Sequence, residues 1–290
     1  MVFDRAAASP VAATNHPPPN LPLEGGGIEP AHPSSRFSMT RPQLFRLDGK
    51  RALVTGAGRG LGATMATALA AAGAHVTLVA RTADEIAQVR DSIVDSGGAA
   101  AAATLDVTNA ADVAAFFAAN APFNVLVNNA GTNRPAALVD TPDADIDAVF
   151  ALNVMAAFRM ARGVARGLIA HRQPGSIINV SSQMGHIGSV NRTVYCASKH
   201  AIEGMTKALA WELGPHNIRV NSLCPTFIET PLTAPMLAQP DFRSWAVSNI
   251  ALGRVGRADE LTGPVVFLAS DASSLMTGSA LMIDGGWTAR

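Results

Sequence analysis

Beyond Leu47 the chain alternates two patterns: short runs that are almost wholly apolar, and longer stretches in which apolar residues recur every three or four positions. The first kind predicts strands and the second predicts helices. RALVT (51–55) is the first strand, and ATMATALAAAG (63–73), beyond a glycine-rich turn, is the first helix. HVTLVA (75–80) follows as a second strand, a helix runs from Ala83 to about Ser96, and AAATLDV (101–107) is a third strand ending near Asp106. VLVN (125–128), GSIINVSS (175–182), IRVNSLCP (218–225) and SALMIDGG (279–286) complete a set of seven strands. Thr141 and Pro142 start a long helix, with proline in a first turn that needs no amide donor. Another helix follows Tyr195, with Ala201, Ile202, Met205, Ala208, Leu209 and Leu213 at helical spacing.

The first forty residues lack this periodicity. Prolines at 10, 17, 18, 19, 22, 30 and 33 and the triplet Gly25, Gly26, Gly27 predict a disordered extension over residues 1–42. Asp4, Pro10 and Asn15 break the pattern of a signal peptide, and Met39 is a candidate for the biological start.

Composition narrows the partners. Lys plus Arg and Asp plus Glu are 22 each, so no net field draws the chain to nucleic acid or an acidic membrane surface. Only 15% of residues are charged and 48% are hydrophobic, yet no run approaches the roughly 18 apolar residues needed to span a bilayer. Cys196 and Cys224 have neither metal-ligand spacing nor the density of a disulfide scaffold, which points to a reducing, cytoplasmic setting.

Candidate chemistry gathers at the strand ends. GAGRGLG follows the first strand and opens the first helix, the context in which Gly56, Gly60 and Gly62 allow a tight turn and close approach of a pyrophosphate to a helix N-terminus. At the end of the second strand stand Ala80 and Arg81, where a carboxylate would suit a ribose 2′-hydroxyl. A guanidinium there, helped by Arg59, suits a 2′-phosphate, so NADP(H) is favoured and NAD(H) remains possible. Asp106 could accept a hydrogen bond from an adenine amino group, and NNAG (128–131) borders the same cleft. Tyr195 is the only tyrosine, and Lys199 lies one helical turn further on. An ammonium at that range favours a phenolate, so the pair can pass a proton to or from a carbonyl or alcohol oxygen. No metal is required for this.

With these residues in this order, the chain resembles the short-chain dehydrogenase/reductase (SDR) family from about Leu47 to Trp287. The resemblance rests on TGAGRGLG (55–62), Asp106, NNAG, Asn153, Ser182, Tyr195-x-x-x-Lys199 and PTFIET (225–230). It implies a single doubly wound parallel sheet of about seven strands with helices on both faces, the Rossmann fold, over residues 43–290. It also implies a homotetramer or homodimer, packed through the helices after Thr141 and Thr193 with their small residues Ala156, Ala157, Ala161, Ala197, Ala201 and Gly204. Catalysis would fall to Asn153, Ser182, Tyr195 and Lys199. Tyr195 would act as general acid or base, Ser182 would bond the substrate oxygen, Lys199 would hold the ribose and depress the Tyr195 pKa, and Asn153 would anchor a water.

The coenzyme would contact Gly56, Arg59, Gly60, Leu61, Gly62, Arg81, Asp106, Val107, Asn129, Ala130, Gly131, Tyr195 and Lys199. Pro225 and Ile228 would flank the nicotinamide and Thr230 the pyrophosphate. Thr226 departs from the glycine common at that place in the family. Residues 226–250 resemble the family's mobile substrate loop. Ser182, Gln183, His186, Tyr195 and Trp245 are the substrate candidates, with Asn133, Arg134 and Arg192 as further polar contacts.

The implied activity is ketone–alcohol interconversion on a small hydroxylated ketone, sugar acid or polyol. The alternative is a 3-oxoacyl thioester, which needs a basic patch to dock an acidic carrier protein; only Arg166 and Arg172 are nearby, which weakens this alternative. A coenzyme-binding regulator without catalysis is a third reading. It is disfavoured because Asn153, Ser182, Tyr195 and Lys199 are all present.

Overall fold

A computed structural model describes residues 41–290. The disorder expected of residues 1–42 falls on residues outside these except at Arg41 and Pro42, which instead open a short 3-10 turn, Arg41–Phe45. Strands β1 (Arg51–Thr55), β2 (His75–Ala80), β3 (Ala99–Thr104), β4 (Val125–Asn128), β5 (Gly175–Val180) and β6 (Ile218–Pro225) are joined by α1 (Gly60–Ala71), α2 (Ala83–Asp95), α3 (Ala110–Ala119), α4 (Asp143–Phe150), α5 (Ala156–Ala170) and α6 (Thr193–Leu213). Two short strands, β7 (Ile228–Glu229) and β8 (Gly256–Arg257), pair with each other around α7 (Ala234–Leu237) and α8 (Pro240–Ser248). Helix α9 (Thr262–Ala269) and β9 (Ala280–Ile283) finish the chain.

β1–β6 and β9 form one sheet in the order β3-β2-β1-β4-β5-β6-β9, every neighbouring pair parallel. The near-continuous apolar runs have a simple cause, since each central strand is covered on both faces. Val54, Val127 and Ile178 pack with Met65 and Leu69 of α1, Ile86 of α2 and Leu268 of α9 on one side. Their sequence neighbours Leu53, Leu126 and Ile177 pack with Met160, Val164 and Leu168 of α5 and Leu213 of α6 on the other. The period of two along a strand thus divides each run between two helical layers. The sheet grows outward from β1 in one direction as far as β3, then restarts beside β1 with β4. That reversal leaves a crevice at the strands' carboxyl ends, where ligands of open α/β sheets bind.

Several boundaries differ from the sequence reading. β3 stops at Thr104, so Asp106 and Val107 lie beyond it in the turn to α3. Pro142 caps α4 from outside the helix with an extended backbone. The long helix is not uniform: residues Ala151–Met155 widen into a π-turn that carries Asn153. The run Asp143–Ala170 is also longer and more apolar than expected, with one window of mean hydropathy 1.3 that meets the length and composition of a membrane span. Half of that window is buried, and α5 there supplies core side chains against β4 and β5, which accounts for the hydropathy.

Candidate active site

The site is assembled at the carboxyl ends of β4, β5 and β6. β5 delivers Ser182 two residues past its end at Val180, into a turn at Gln183–Gly185. The Ser182 hydroxyl accepts from Met184 N at 3.1 Å and donates to Gln183 Oε1 at 2.9 Å. Helix α6 carries Tyr195 and Lys199 one turn apart, with Lys199 Nζ over the phenol ring, 5.6 Å from its centroid. Nζ donates to Val180 O at 2.8 Å, tying α6 to the end of β5.

Asn153 is 2% exposed, because the π-turn rotates it off the helix surface and into the protein. Its Nδ2 donates to Thr132 O at 2.9 Å and to Ser198 Oγ at 3.1 Å, while Oδ1 accepts from Thr132 N at 2.8 Å. Ser198 in turn donates to the Tyr195 carbonyl at 2.7 Å. Both amide hydrogens are therefore spent on the loop after β4 and on α6. Asn153 locks these two segments together, and only the second lone pair of Oδ1 is left for a water.

Electrostatics depart from the expectation that Lys199 lowers the Tyr195 pKa. Burial pushes the phenol up to about 12, offset in part by its interaction with the Ser182 hydroxyl. Burial likewise pushes Lys199 down to about 8. Both groups have lost water, and the ammonium faces the ring and a backbone carbonyl, so desolvation outweighs mutual attraction.

On the other side of the cleft, Gly56 and Gly60 adopt φ of +62° and +56°, and a Cβ on Gly62 would stand 2.2 Å from Gly56 O. Only glycine permits that packing. Asn129 Nδ2 holds the turn from behind through Thr55 O (2.9 Å) and Gly56 O (3.1 Å), and Ala130 N donates to Thr55 Oγ1 at 3.0 Å. The Asn129 amide therefore shapes the glycine turn, with its donors already used there. A Cβ on Gly131 would stand 3.3 Å from Asn153 Oδ1, so this glycine links the two halves of the site. Arg59 precedes α1 with no side-chain cap on the helix, which leaves the first-turn amides open to an anion. Across from Gly60 lies Thr230, 3.7 Å from where a Cβ would stand. Pro225 ends β6, Ile228 is buried in β7 and Leu61 packs on the core beneath the turn.

Several candidates have other partners. Arg59 pairs with Glu85 at 3.2 Å, an acid in the first turn of α2 that the sequence reading passed over. Arg81 is exposed and near enough to Asp106 to help lower its pKa, although the chief cause is the Thr108 hydroxyl, 2.6 Å away. Val107 is buried in the core. Gln183 is 2% exposed and its Oε1 serves as the acceptor for Ser182. His186 points inward, its Nε2 3.5 Å from Glu203 Oε2 and 3.6 Å from Cys224 Sγ, in a polar cluster that also includes Ser222. Trp245 packs edge to face on Phe227 and Trp287, and these rings join Phe242 in an apolar wall that also contacts Tyr195 and Ile187.

Four buried side-chain atoms among the described residues lack a hydrogen-bond partner: Asn128 Oδ1, Asn133 Oδ1, Ser181 Oγ and Thr226 Oγ1. All lie at or just past the ends of β4, β5 and β6. Buried polar atoms are rarely left unpaired, and their grouping at one edge of the sheet fits a ligand that supplies the missing partners. Together with the close-packed glycine turn and the open helix end, they fit a dinucleotide.

Comparison with known proteins agrees with this geometry. The family described as Enoyl-(Acyl carrier protein) reductase matches residues 56–288. Gluconate 5-dehydrogenase of Gluconobacter oxydans is 38% identical over 254 residues, covering 86% of this chain and 99% of its own. L-xylulose reductase of Bos taurus is 38% identical over 245 residues, covering 84% and 99%. The crystal structure of a gluconate 5-dehydrogenase from Burkholderia cenocepacia, in complex with NADP and tartrate, superposes with a TM-score of 0.82 at 36% identity, covering 86% and 99%. The match to the family model over residues 56–288, and to relatives aligned over nearly their whole length, shows that the chain, with its parallel seven-stranded sheet, belongs to the short-chain dehydrogenase/reductase family.

Proposed function

We propose that residues 43–290 form one catalytic domain, an NADP(H)-dependent oxidoreductase that interconverts a ketone and a secondary alcohol on a small hydroxylated substrate. The observation that carries this is Tyr195 beside Ser182 and Lys199 at the sheet's carboxyl edge, across the cleft from the open end of α1. NADP(H), when bound, supplies or takes up the hydride. The phenol of Tyr195, protonated at neutral pH, gives its proton to the carbonyl oxygen in reduction and recovers it in oxidation. Ser182, fixed by Gln183, orients that oxygen. Gly56, Gly60, Gly62 and the first turn of α1 would hold the pyrophosphate, Lys199 the ribose and Arg81 a 2′-phosphate. A hydroxylated substrate is supported by the relatives' names. NADPH oxidation against keto acids, ketoses and acetoacetyl thioesters tests the proposal, and inertness toward every ketose and keto acid would sink it.

Arg81→Asp should change the NADPH to NADH ratio of kcat/KM by roughly 100-fold in favour of NADH, because a charge-assisted contact is exchanged for a repulsion. An unchanged ratio would return the coenzyme preference to Arg59 or to neither arginine.

The thioester reading retains one observation in its favour. Arg159, Arg162, Arg166 and His171 line a hollow of about 480 Å³ between α3 and α5, a basic surface that an acidic carrier could use. Saturation with acetoacetyl thioester at lower KM than any ketose would favour it.

We further assign a homotetramer, through the exposed Met155 and Phe158 on the long helix and Trp211 on α6. Ala156, Ala157 and Ala161 do not contribute as expected, since they are buried in the chain's own core, whereas Ala197 and Gly204 are at the surface. Sedimentation velocity should give four chains, and Trp211→Glu should give fewer. The cytoplasm is supported by two free, buried cysteines and is checked by cell fractionation.

A further inference from the structure

Arg192 immediately precedes α6 and is only 9% exposed. Its guanidinium has two hydrogen bonds, one to its neighbour's carbonyl, Asn191 O, at 3.1 Å and one to a weak acceptor, the Met236 thioether on α7, at 3.5 Å. Among the described residues no carboxylate pairs with it. Arg219 shows what a structural arginine looks like in this fold, with bonds to Ser273 Oγ, Leu268 O and Ser270 O at 2.7 to 3.0 Å. A guanidinium has five N–H donors in a planar fork suited to carboxylate, and burying it unpaired is costly unless a ligand compensates.

Its position says which ligand. Arg192 is one turn before Tyr195, on the same side of α6, and it reaches Met236 of α7, within the stretch 226–250 that resembles the family's substrate loop. The two groups are close enough to influence each other's ionisation, and burial lowers the Arg192 pKa.

We propose that Arg192 binds the carboxylate of the substrate, so that the enzyme acts on polyhydroxylated acids in preference to neutral ketoses and polyols. The inference rests on the ketone–alcohol reading above and narrows its substrate class. Trp245, Phe227 and Trp287 close the far side of the cleft with an apolar wall that offers a carboxylate no other partner.

The test compares 5-keto-D-gluconate with L-xylulose, each reduced by NADPH, in the wild type and in Arg192→Met and Arg192→Lys. The wild type should prefer the keto acid by roughly 100-fold in kcat/KM, the scale of a charge-assisted bidentate contact in a desolvated site. Arg192→Met should lose that preference through a raised KM for the keto acid, with L-xylulose changed less than about threefold, and Arg192→Lys should recover part of it. NADPH binding, followed by fluorescence, should be the same in all three. Equal losses on both substrates in Arg192→Met, or a wild type without preference for the acid, would overturn the carboxylate proposal while leaving the redox reading intact. If neither compound nor any other ketose or keto acid is reduced, the redox reading itself fails and this proposal falls with it.

Discussion

Tyr195→Phe is expected to lower kcat for ketone reduction by at least ~1000-fold, the range lost when a positioned general acid is removed. The substitution deletes one oxygen and keeps the ring, so the packing of Tyr195 against the Phe227, Phe242 and Trp287 cluster survives. The melting temperature and NADPH affinity should change little, and the loss should appear in kcat and not in KM. The pH dependence follows from the phenol's position near 12. Below that value it carries its proton, so reduction has its acid in place at neutral pH and throughout the mildly acidic range. Alcohol oxidation needs the deprotonated form, so its rate should climb with pH and approach tenfold per unit while the phenol remains mostly protonated. Steady-state rates in both directions across pH check this. A Tyr195→Phe enzyme retaining more than a tenth of wild-type kcat would remove Tyr195 from the chemistry.

Lys199→Met should separate activity from stability. Activity should fall by at least ~1000-fold, since the buried ammonium ties α6 to the end of β5 and carries the positive charge beside the phenol. Stability should move the other way. Lys199 has a pKa of about 8 in the folded protein against an ordinary 10.5, so the unfolded chain binds this proton more tightly. Between about pH 8 and 10.5 the unfolded state holds more protons, and stability therefore rises with pH in that window; below pH 8 both states are charged and the full cost is present. The interval corresponds to about 3 kcal/mol. Methionine avoids the cost and fills similar space, but it leaves Val180 O without its donor, which takes back about 1–2 kcal/mol. The variant should melt a few degrees higher at pH 7, at about 2–4 °C per kcal/mol for a chain of this size, and the advantage should vanish above pH 10.5. Calorimetry of the ligand-free protein at the two pH values decides it, and a lower melting temperature at pH 7 would refute the claim that this lysine is held at a cost to folding.

The polyhydroxy-acid specificity follows the same logic as Lys199. Arg192 and Lys199 are both cations taken out of water beside Tyr195, and neither has an acid within salt-bridge distance among the described residues. A site that stores two such charges is primed for anionic ligands, and folding bears the cost in their absence.

What the amino-acid sequence determined by itself was whatever depends on spacing along the chain. β1, β2, β4 and β6 begin and end where the sequence predicts, because a strand covered on both faces is mostly apolar, and the exceptions in β6, Arg219, Asn221 and Ser222, are each hydrogen-bonded. The glycine turn was legible because Gly62 and Gly56 are incompatible with any side chain at that distance, and Tyr195 and Lys199 because an interval of four residues places both on one helix face. Tertiary structure decided the partners and the solvation. That Gln183 serves Ser182, that His186 turns inward to Glu203 and Cys224, and that a π-turn sinks Asn153 into the protein depend on contacts between segments up to 45 residues apart. The protonation of Tyr195 and Lys199 and the unpaired charge of Arg192 belong to this second class as well. The energy of a polar group is set by how much water it loses and which groups replace it, and neither quantity has a period in the sequence.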